Sequence, residues 1–559
     1  RIARRISLDH FIHDGRGQTD IWLNFKNLRL VSLTADIALN DVHLRFSPEG
    51  RFVNFESLQG RIQETLDGDK LVFETKDMLI QARGALPQFF GNSKLTARFR
   101  DGNLHDGEFN IEFFDLQSLS TLGLQLPIPE NALNAIRDLG AEGLVEHFES
   151  TWSGPITQPT NFSVEADFTG VSIQDHAAND EVPINRPGFK NITGRITADN
   201  KGGTLTLNSK SAVLSFPGIF FEKDIALDTL TMSAEWVMEP MLTFTVKELA
   251  VANHDASALV HGAWTDTGGP GTLEVRGDLH YLRASSAHLF IPIVAGGKET
   301  NDWLKYALTD GIATNGKVDL YGPLKEFPFH KSTDPSYVFR ITGNAENVRL
   351  DYMPEAFRGK SDVTWPVIEK VNGTMVFDGM SMDIRAQSAT SMGATITDVV
   401  AQIPSYAAPG VPLHIEGKSK APLSTMAAWV NASPVSAMIG GAFEGSTASG
   451  DADLTLTLDI PITKAKDTKV EGTVSLAGNA LAIRSAPPLE AVSGAVRFTE
   501  KGLWGQNIVG QVYGAPTTAN IHTDETGLIR IKASTQATPQ TIARLVDSPV
   551  VESILTHVS

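Results

Sequence analysis

At 559 residues the chain exceeds what one compact core supports, so it must divide into domains or grow lengthwise as repeats. A net charge of −18 argues against a nucleic-acid surface, and the absence of cysteine excludes disulfides and thiolate chemistry. With 42% hydrophobic residues and a mean hydropathy of −0.08, the composition is that of an ordered protein.

Cysteine avoidance also fits an envelope compartment, where stray thiols mispair. No stretch approaches the ~18–20 apolar residues that cross a bilayer, and the longest greasy run, Leu289–Ala295, contains Pro292. The chain opens on Arg1 rather than methionine, which reads as a piece cut from a longer protein, with Arg1, Arg4 and Arg5 as solvated charges at that end.

From Ile6 to about Leu124 period-two alternation predicts strand after strand, clearest at Leu28–Val31, Ala35–Phe46, Gly60–Gln63, Leu71–Phe73, Leu95–Phe99 and Phe109–Phe113. The interval Pro127–Phe148 changes period. Leu133, Ile136 and Leu139 share one helical face after Pro129, which predicts a helical insertion over 126–150. Strands resume over 151–284, among them Phe162–Asp167, Thr204–Leu207, Leu230–Glu235, Leu242–Val246 and Thr272–Arg276.

A second helical segment is expected within 285–330. Trp303, Leu304, Ala307 and Leu308 form its stripe, Thr300–Asp302 its cap and Gly311 its stop, and a proline-aromatic corner follows at Phe327-Pro328-Phe329. Over 331–559 strands dominate again, with short helices at Ser424–Asn431 and Thr538–Asp547. Asp175–Arg186 and Ser436–Gly450 read as loops.

One device recurs. Pro187, Pro366 and Pro487 are each followed seven residues later by a glycine: Gly194, Gly373 and Gly494. Apolar residues sit two before it (Ile192, Val371, Val492) and two after it (Ile196, Met375, Val496), and Gly60 with Leu58 and Ile62 keeps the core of the pattern. A second glycine follows each time (Gly68, Gly202, Gly379, Gly502), and Asp378-Gly379 is a strong hairpin signal. Short apolar alternations precede each copy: Val42 with Leu44, Val171 with Ile173, Val348 with Leu350, Leu481 with Ile483. Four ordered matches at uneven spacing predict a repeated β unit, without the fixed short rung of a tight solenoid.

Catalytic signatures do not emerge. His10 and His13-Asp14 are three apart, a spacing that puts strand residues on opposite faces, and His254 and His261 are too distant for a local ligand pair. Asp451 and Asp453 lack the glycine and glutamate of a calcium loop. No Gly-x-Ser-x-Gly elbow and no phosphate-binding glycine loop occurs, so no enzyme, metal or cofactor is expected.

The stretch Trp365-Pro366 to Ala389, with Val348-Arg-Leu-Asp-Tyr352 before it, resembles the AsmA-like superfamily and more narrowly its large YhdP-type branch. Trp303-Leu304, Gly322-Pro-Leu-Lys-Glu-Phe-Pro-Phe329 and Gly472-Thr-Val-Ser-Leu-Ala-Gly478 are similar to it as well. The resemblance covers most of the chain and is strongest from about Thr300 to Pro516. It implies a Gram-negative envelope protein in the periplasm, anchored in the inner membrane by a helix outside this sequence. It further implies phospholipid passage towards the outer membrane along repeating β-grooves, in support of the permeability barrier.

The expected fold is therefore mainly β: an elongated, curved, mostly antiparallel β-groove of repeated units with a few short helices. Candidate groove residues are Val42, Leu44, Ile62, Leu71, Phe73, Val171, Ile173, Ile196, Leu205, Leu207, Val348, Leu350, Met375, Phe377, Met382 and Ile384. The partners expected are phospholipid acyl chains and the two membranes, with no nucleic acid. Two rivals stand beside this reading: a structural or adhesive β-repeat protein with a closed core and no ligand, and a polysaccharide-active β-helix enzyme.

Overall fold

The computed structural model describes residues 12–45, 52–84, 86–100, 103–118, 138–156, 158–178, 185–329, 334–358, 364–405, 410–461, 467–483 and 487–546. The chain divides into two compact units, Arg1–Val275 and Arg276–Ser559. Both are mainly β, and the strand ladders within them are antiparallel.

The first unit begins with β1 (Ile12–Lys26), β2 (Arg29–Arg45), β3 (Phe52–Asp67), β4 (Lys70–Ala82), the short β5 (Gln88–Phe90), β6 (Ser93–Arg100) and β7 (Asn103–Asp115). It continues with β8 (Glu142–Ser153), β9 (Asn161–Ile173), β10 (Gly188–Asp199), β11 (Gly202–Ser215), β12 (Asp224–Val237), β13 (Thr243–Ala252) and β14 (Ala256–Thr265). Each strand pairs with the next, except that β4 pairs with β6 and carries β5 alongside. β15 (Thr272–Arg283) spans the division between units.

In the second unit a 3₁₀ turn (Ala284–Phe290) leads to helix α1 (Ile293–Ala307). Then follow β16 (Leu308–Pro323), β17 (Val338–Leu350), β18 (Ile368–Asp378), β19 (Ser381–Ser391), β20 (Ala394–Ile403), β21 (Pro412–Pro422), α2 (Leu423–Asn431) and α3 (Val435–Met438). The chain goes on through β22 (Thr447–Ser449), β23 (Asp451–Pro461), β24 (Lys469–Ala482), β25 (Leu489–Thr499), β26 (Gly502–Val512), β27 (Ala515–Thr523), β28 (Ile529–Thr535) and α4 (Pro539–Val546). From β16 the strands again pair in sequence, with β21 crossing to β23 and β22 lying beside β24.

The sequence repeat is a bend. In each copy two side chains face each other across neighbouring strands, all buried except the half-buried Val371: Val42 with Phe55, Val171 with Ile192, Val348 with Val371 and Asn479 with Val492. The residue before the first partner is left-handed every time, at Asp41 (φ 50°), Gly170 (66°), Asn347 (53°) and Gly478 (74°). In the last three copies the residue before the second partner is left-handed too: Asn191 (59°), Lys370 (52°) and Ala491 (49°). Bulges of this kind break the ladder and turn the strand, so a row of them curves an open sheet. Asn and Asp recur there because they tolerate positive φ better than most residues.

A bulge leaves an N–H without its ladder partner, and the residue just ahead of the repeat glycine takes it up. Thr193 Oγ1 accepts from Gly170 N at 3.2 Å, Asn372 Oδ1 from Asn347 N at 3.0 Å, and Ser493 Oγ from Gly478 N at 2.9 Å. The glycine itself is required by closeness: a Cβ on Gly194 would press into the Thr206 carbonyl and reach 2.8 Å from Leu207 Cδ2. The buried seam follows these bends, for example at Ile192, Ala212, Leu227 and Leu230.

Several expectations need correction. Residues 126–137 of the predicted helical insertion lie outside the described residues, but Gly140 (φ 51°) would end a helix there and Glu142–Ser153 is the strand β8. Helix α1 starts after Pro292 and is broken at Gly297 (φ 71°), so Thr300–Asp302 lie in the turn that follows the break; buried Asn301 donates from Nδ2 to the His288 carbonyl. Gly311 is no helix stop, because α1 already ends at Ala307; it sits at a bulge of β16 (φ 99°), close against the backbone of Val348. The stretch 436–450 holds part of α3 and all of β22.

The helices of the second unit dock through the Trp365 stretch. Trp303 Nε1 donates to the Tyr352 carbonyl at 3.2 Å, and Tyr352, Trp365 and Trp429 follow with ring centroids 5.9 and 6.0 Å apart. Trp429 Nε1 then donates to Ser391 Oγ at 3.0 Å, which fixes α2 to the end of β19.

Candidate functional site

Strand alternation gives each unit an apolar and a polar face. In the first unit one registered row runs Ala166, Ile196, Leu205, Ala234, Val246 and Gly262 across β9 to β14. In the second, Met375, Ile384, Ala401, Ile415, Leu458 and Val470 cross from β18 to β24. A further row, Leu454, Val474, Val496, Gly505, Ile521 and Ile531, continues to β28. The opposite face carries ion pairs such as Arg61 with Asp36, Arg195 with Glu165 and Asp167, and Arg497 with Glu471.

The apolar rows stay largely half-exposed rather than sealed. Ile196, Leu205 and Val246 in the first unit and Met375, Ile384, Ile415 and Leu458 in the second are all half-buried, so these rows remain partly open to solvent.

Twelve of the sixteen predicted groove residues are half-buried: Ile62, Leu71, Phe73, Ile173, Ile196, Leu205, Leu207, Leu350, Met375, Phe377, Met382 and Ile384. The register brings Ile196 opposite Leu205, Met375 opposite Ile384, and Phe377 opposite Met382. Val42 (0% exposed), Val171 and Val348 (9% each) belong instead to the buried seam at the bends, which removes them from an open face. Leu44 pairs with Val53 along the backbone, and its side chain lies outside the described residues.

Alternation alone did not single out an aromatic rim. In the first unit Gly203, Trp236, Phe244 and Trp264 form one row near the strand ends, and Gly107, Trp152 and Phe162 form another. Trp236 and Phe244 are stacked, with planes 15° apart and centroids 6.4 Å apart. The rings lie across glycines of the adjacent strand: a Cβ on Gly203 would come 2.5 Å from Trp236 Cη2, and one on Gly107 would come 2.5 Å from Trp152 Cζ2. Flat rings leave the face smooth. A glycine one strand away from an aromatic was the available signal.

Among the described residues no group of three His, Asp or Glu side chains is placed to hold a metal ion, and no helix is long and apolar enough to cross a membrane. His261 Nδ1 is engaged with the Lys247 carbonyl, and His254 adjoins Asp255. Asp451 and Asp453 stand opposite Pro422 and Lys420. Arg1, Arg4, Arg5 and His10 lie outside the described residues, as does the side chain of His13.

The family described as "YhdP protein" matches residues 3–556, nearly the whole chain. The chain belongs to the YhdP family. It is 21% identical over 359 residues to the intermembrane phospholipid transporter YhdP of Escherichia coli (strain K12), a match covering 61% of this chain. That match takes in 26% of the relative, so the chain spans about a quarter of that YhdP protein's length. No solved structure matches it.

Proposed function

We propose that this chain is a lipid-carrying segment of an intermembrane phospholipid transporter, and not an enzyme. The observation behind this reading is the registered, half-exposed apolar row that continues from strand to strand inside each unit. Burying an acyl chain against such a face gains ~0.8 kcal/mol per CH₂, and neighbouring sites of similar chemistry let the chain slide without a large barrier. The aromatic rim suits the boundary between tails and headgroups, where amphipathic rings gain from both environments. Transfer along the face is passive and draws on no nucleotide or metal. Membership of the YhdP family supports an envelope location, and we assign this segment to the periplasm.

Site-specific photo-crosslinking tests the reading. Benzoylphenylalanine at Leu205, Met375 or Ile384 is expected to capture phospholipid, whereas the same group at Arg195 or Thr206 on the polar face is not. Equal capture on both faces, or none on the apolar face, overturns it.

A further inference from the structure

Among the described residues, the apolar face across β1 to β7 has one charged interruption. Across β1, β2, β3, β4, β6 and β7 the register aligns Leu23, Leu33, Glu64, Phe73, Leu95 and Phe109. Along β3, Glu64 lies between Ile62 and Leu66 on the same face, and Leu66 stands opposite Leu71, one pair before the Asp67–Lys70 pair that closes the Gly68 turn. Among the described residues of this row, Glu64 alone carries a charge, and it has no hydrogen-bond or ion-pair partner there. Half-burial raises its carboxyl above the ordinary glutamate value, with no neighbouring cation to offset the shift. Elsewhere in the unit the carboxylates Asp36, Glu165 and Asp167 are paired with arginines on the polar face.

A carboxylate among leucines and a phenylalanine costs desolvation that nothing in the protein returns. Hydrophobic tails gain nothing from it. A ligand that brings its own cation does, and Glu64 sits one row inside the rim, where the headgroup of a lipid lying on this face would reach.

We propose that Glu64 is a headgroup contact that favours lipids bearing a primary amine over anionic lipids with the same tails. This rests on the lipid-carrying reading above. The ammonium donates hydrogen bonds to the carboxylate while the acyl chains lie along the half-buried Ile62, Leu71 and Phe73 surface. An anionic headgroup at the same place meets like charge.

The test uses the chain as it stands and its Glu64→Gln variant, each incubated with vesicles of equal phosphatidylethanolamine and phosphatidylglycerol matched in acyl chains. The protein is then re-isolated and its lipid quantified by mass spectrometry. Wild type is expected to enrich the amine lipid, and the glutamine variant to lose about tenfold of that enrichment at unchanged total lipid per protein. Circular dichroism confirms that both are folded, and glutamine, by removing a charge without a partner, should not lower stability. Identical lipid ratios in the two proteins overturn the assignment of Glu64 and leave the carrier reading standing. Uptake of neither lipid by wild type overturns both.

Discussion

The side-chain oxygen of Asn372 accepts the backbone N–H of Asn347, one strand away, at 3.0 Å. The left-handed turn at Asn347 breaks the ladder there, and Asn372 supplies the acceptor the ladder withholds. Its amide also donates at 2.8 Å to the carbonyl of Lys370, the second left-handed residue of the bend. Asn372→Ala is expected to cost about 0.5–1.5 kcal/mol, since the exposed bend loses the side-chain hydrogen bonds that hold it. Asn372→Ser, which reproduces the residue found at the matching position of the Ser493 copy, should recover part of that. Urea denaturation of the two variants checks the claim; equal midpoints would sink it.

At the rim, the claim concerns shape. Gly203 lies under the indole of Trp236, and a methyl group there would overlap both the ring and the Thr197 carbonyl. Gly→Ala inside a strand ordinarily gains about 0.5–1 kcal/mol of backbone entropy. Here the overlap should reverse the sign and cost about 1–3 kcal/mol, as overpacking does elsewhere. A thermal midpoint for Gly203→Ala at or above wild type would mean that the ring and the Thr197 backbone both give way freely.

Much of this architecture was legible beforehand because turn chemistry and two-residue alternation are local. Gly60, Gly194, Gly373 and Gly494 marked the bends, and Asp378-Gly379 marked a hairpin whose arms do pair, with Asp378 opposite Ser381. The role of the residue before each glycine was not legible, because Thr193, Asn372 and Ser493 share a function and not a side chain. Nor did alternation separate Val42, Val171 and Val348 from their neighbours: sealed seam and open face read as the same apolar pattern, and a bulge decides between them. Glu64 was visible as a break in the run Ile62-x-x-x-Leu66, but its isolation appears once strands β2 and β4 are placed beside it.

The difference between seam and face gives a paired prediction. Ile192 is 3% exposed and packs among Ala212, Leu227 and Leu230, so Ile192→Asp buries a charge without a partner and should prevent folding of the first unit. Ile192→Ala should cost about 2–5 kcal/mol. Phe377, half-buried opposite Met382 and Ile341, stands on the open rows of the second unit. Phe377→Asp or Met375→Asp should therefore retain the β-sheet circular dichroism signal while reducing co-purified phospholipid. Loss of fold in all three aspartate variants would show a closed core at Phe377 and Met375.

On the polar face, proton uptake at His414 should tie β21 to β23. Its Nδ1 lies 2.7 Å from Asp459 Oδ1 and its Nε2 3.1 Å from Glu416 Oε1, while the neighbouring β20 presents the neutral Gln402 opposite it. The hydrogen bond to Asp459 first, and that to Glu416 second, raise the imidazole above its ordinary value. A group whose folded value is raised stabilises fully below its unfolded pKa of about 6.5, and that contribution disappears as pH climbs through the folded value. Because the side chain is one-third exposed, solvent screening keeps the effect modest. The thermal midpoint of wild type should exceed that of His414→Gln at pH 5.5, and the two should converge by pH 8.5. A gap that widens with rising pH would contradict the arrangement, because it would require the neutral imidazole to be the form that holds the two strands.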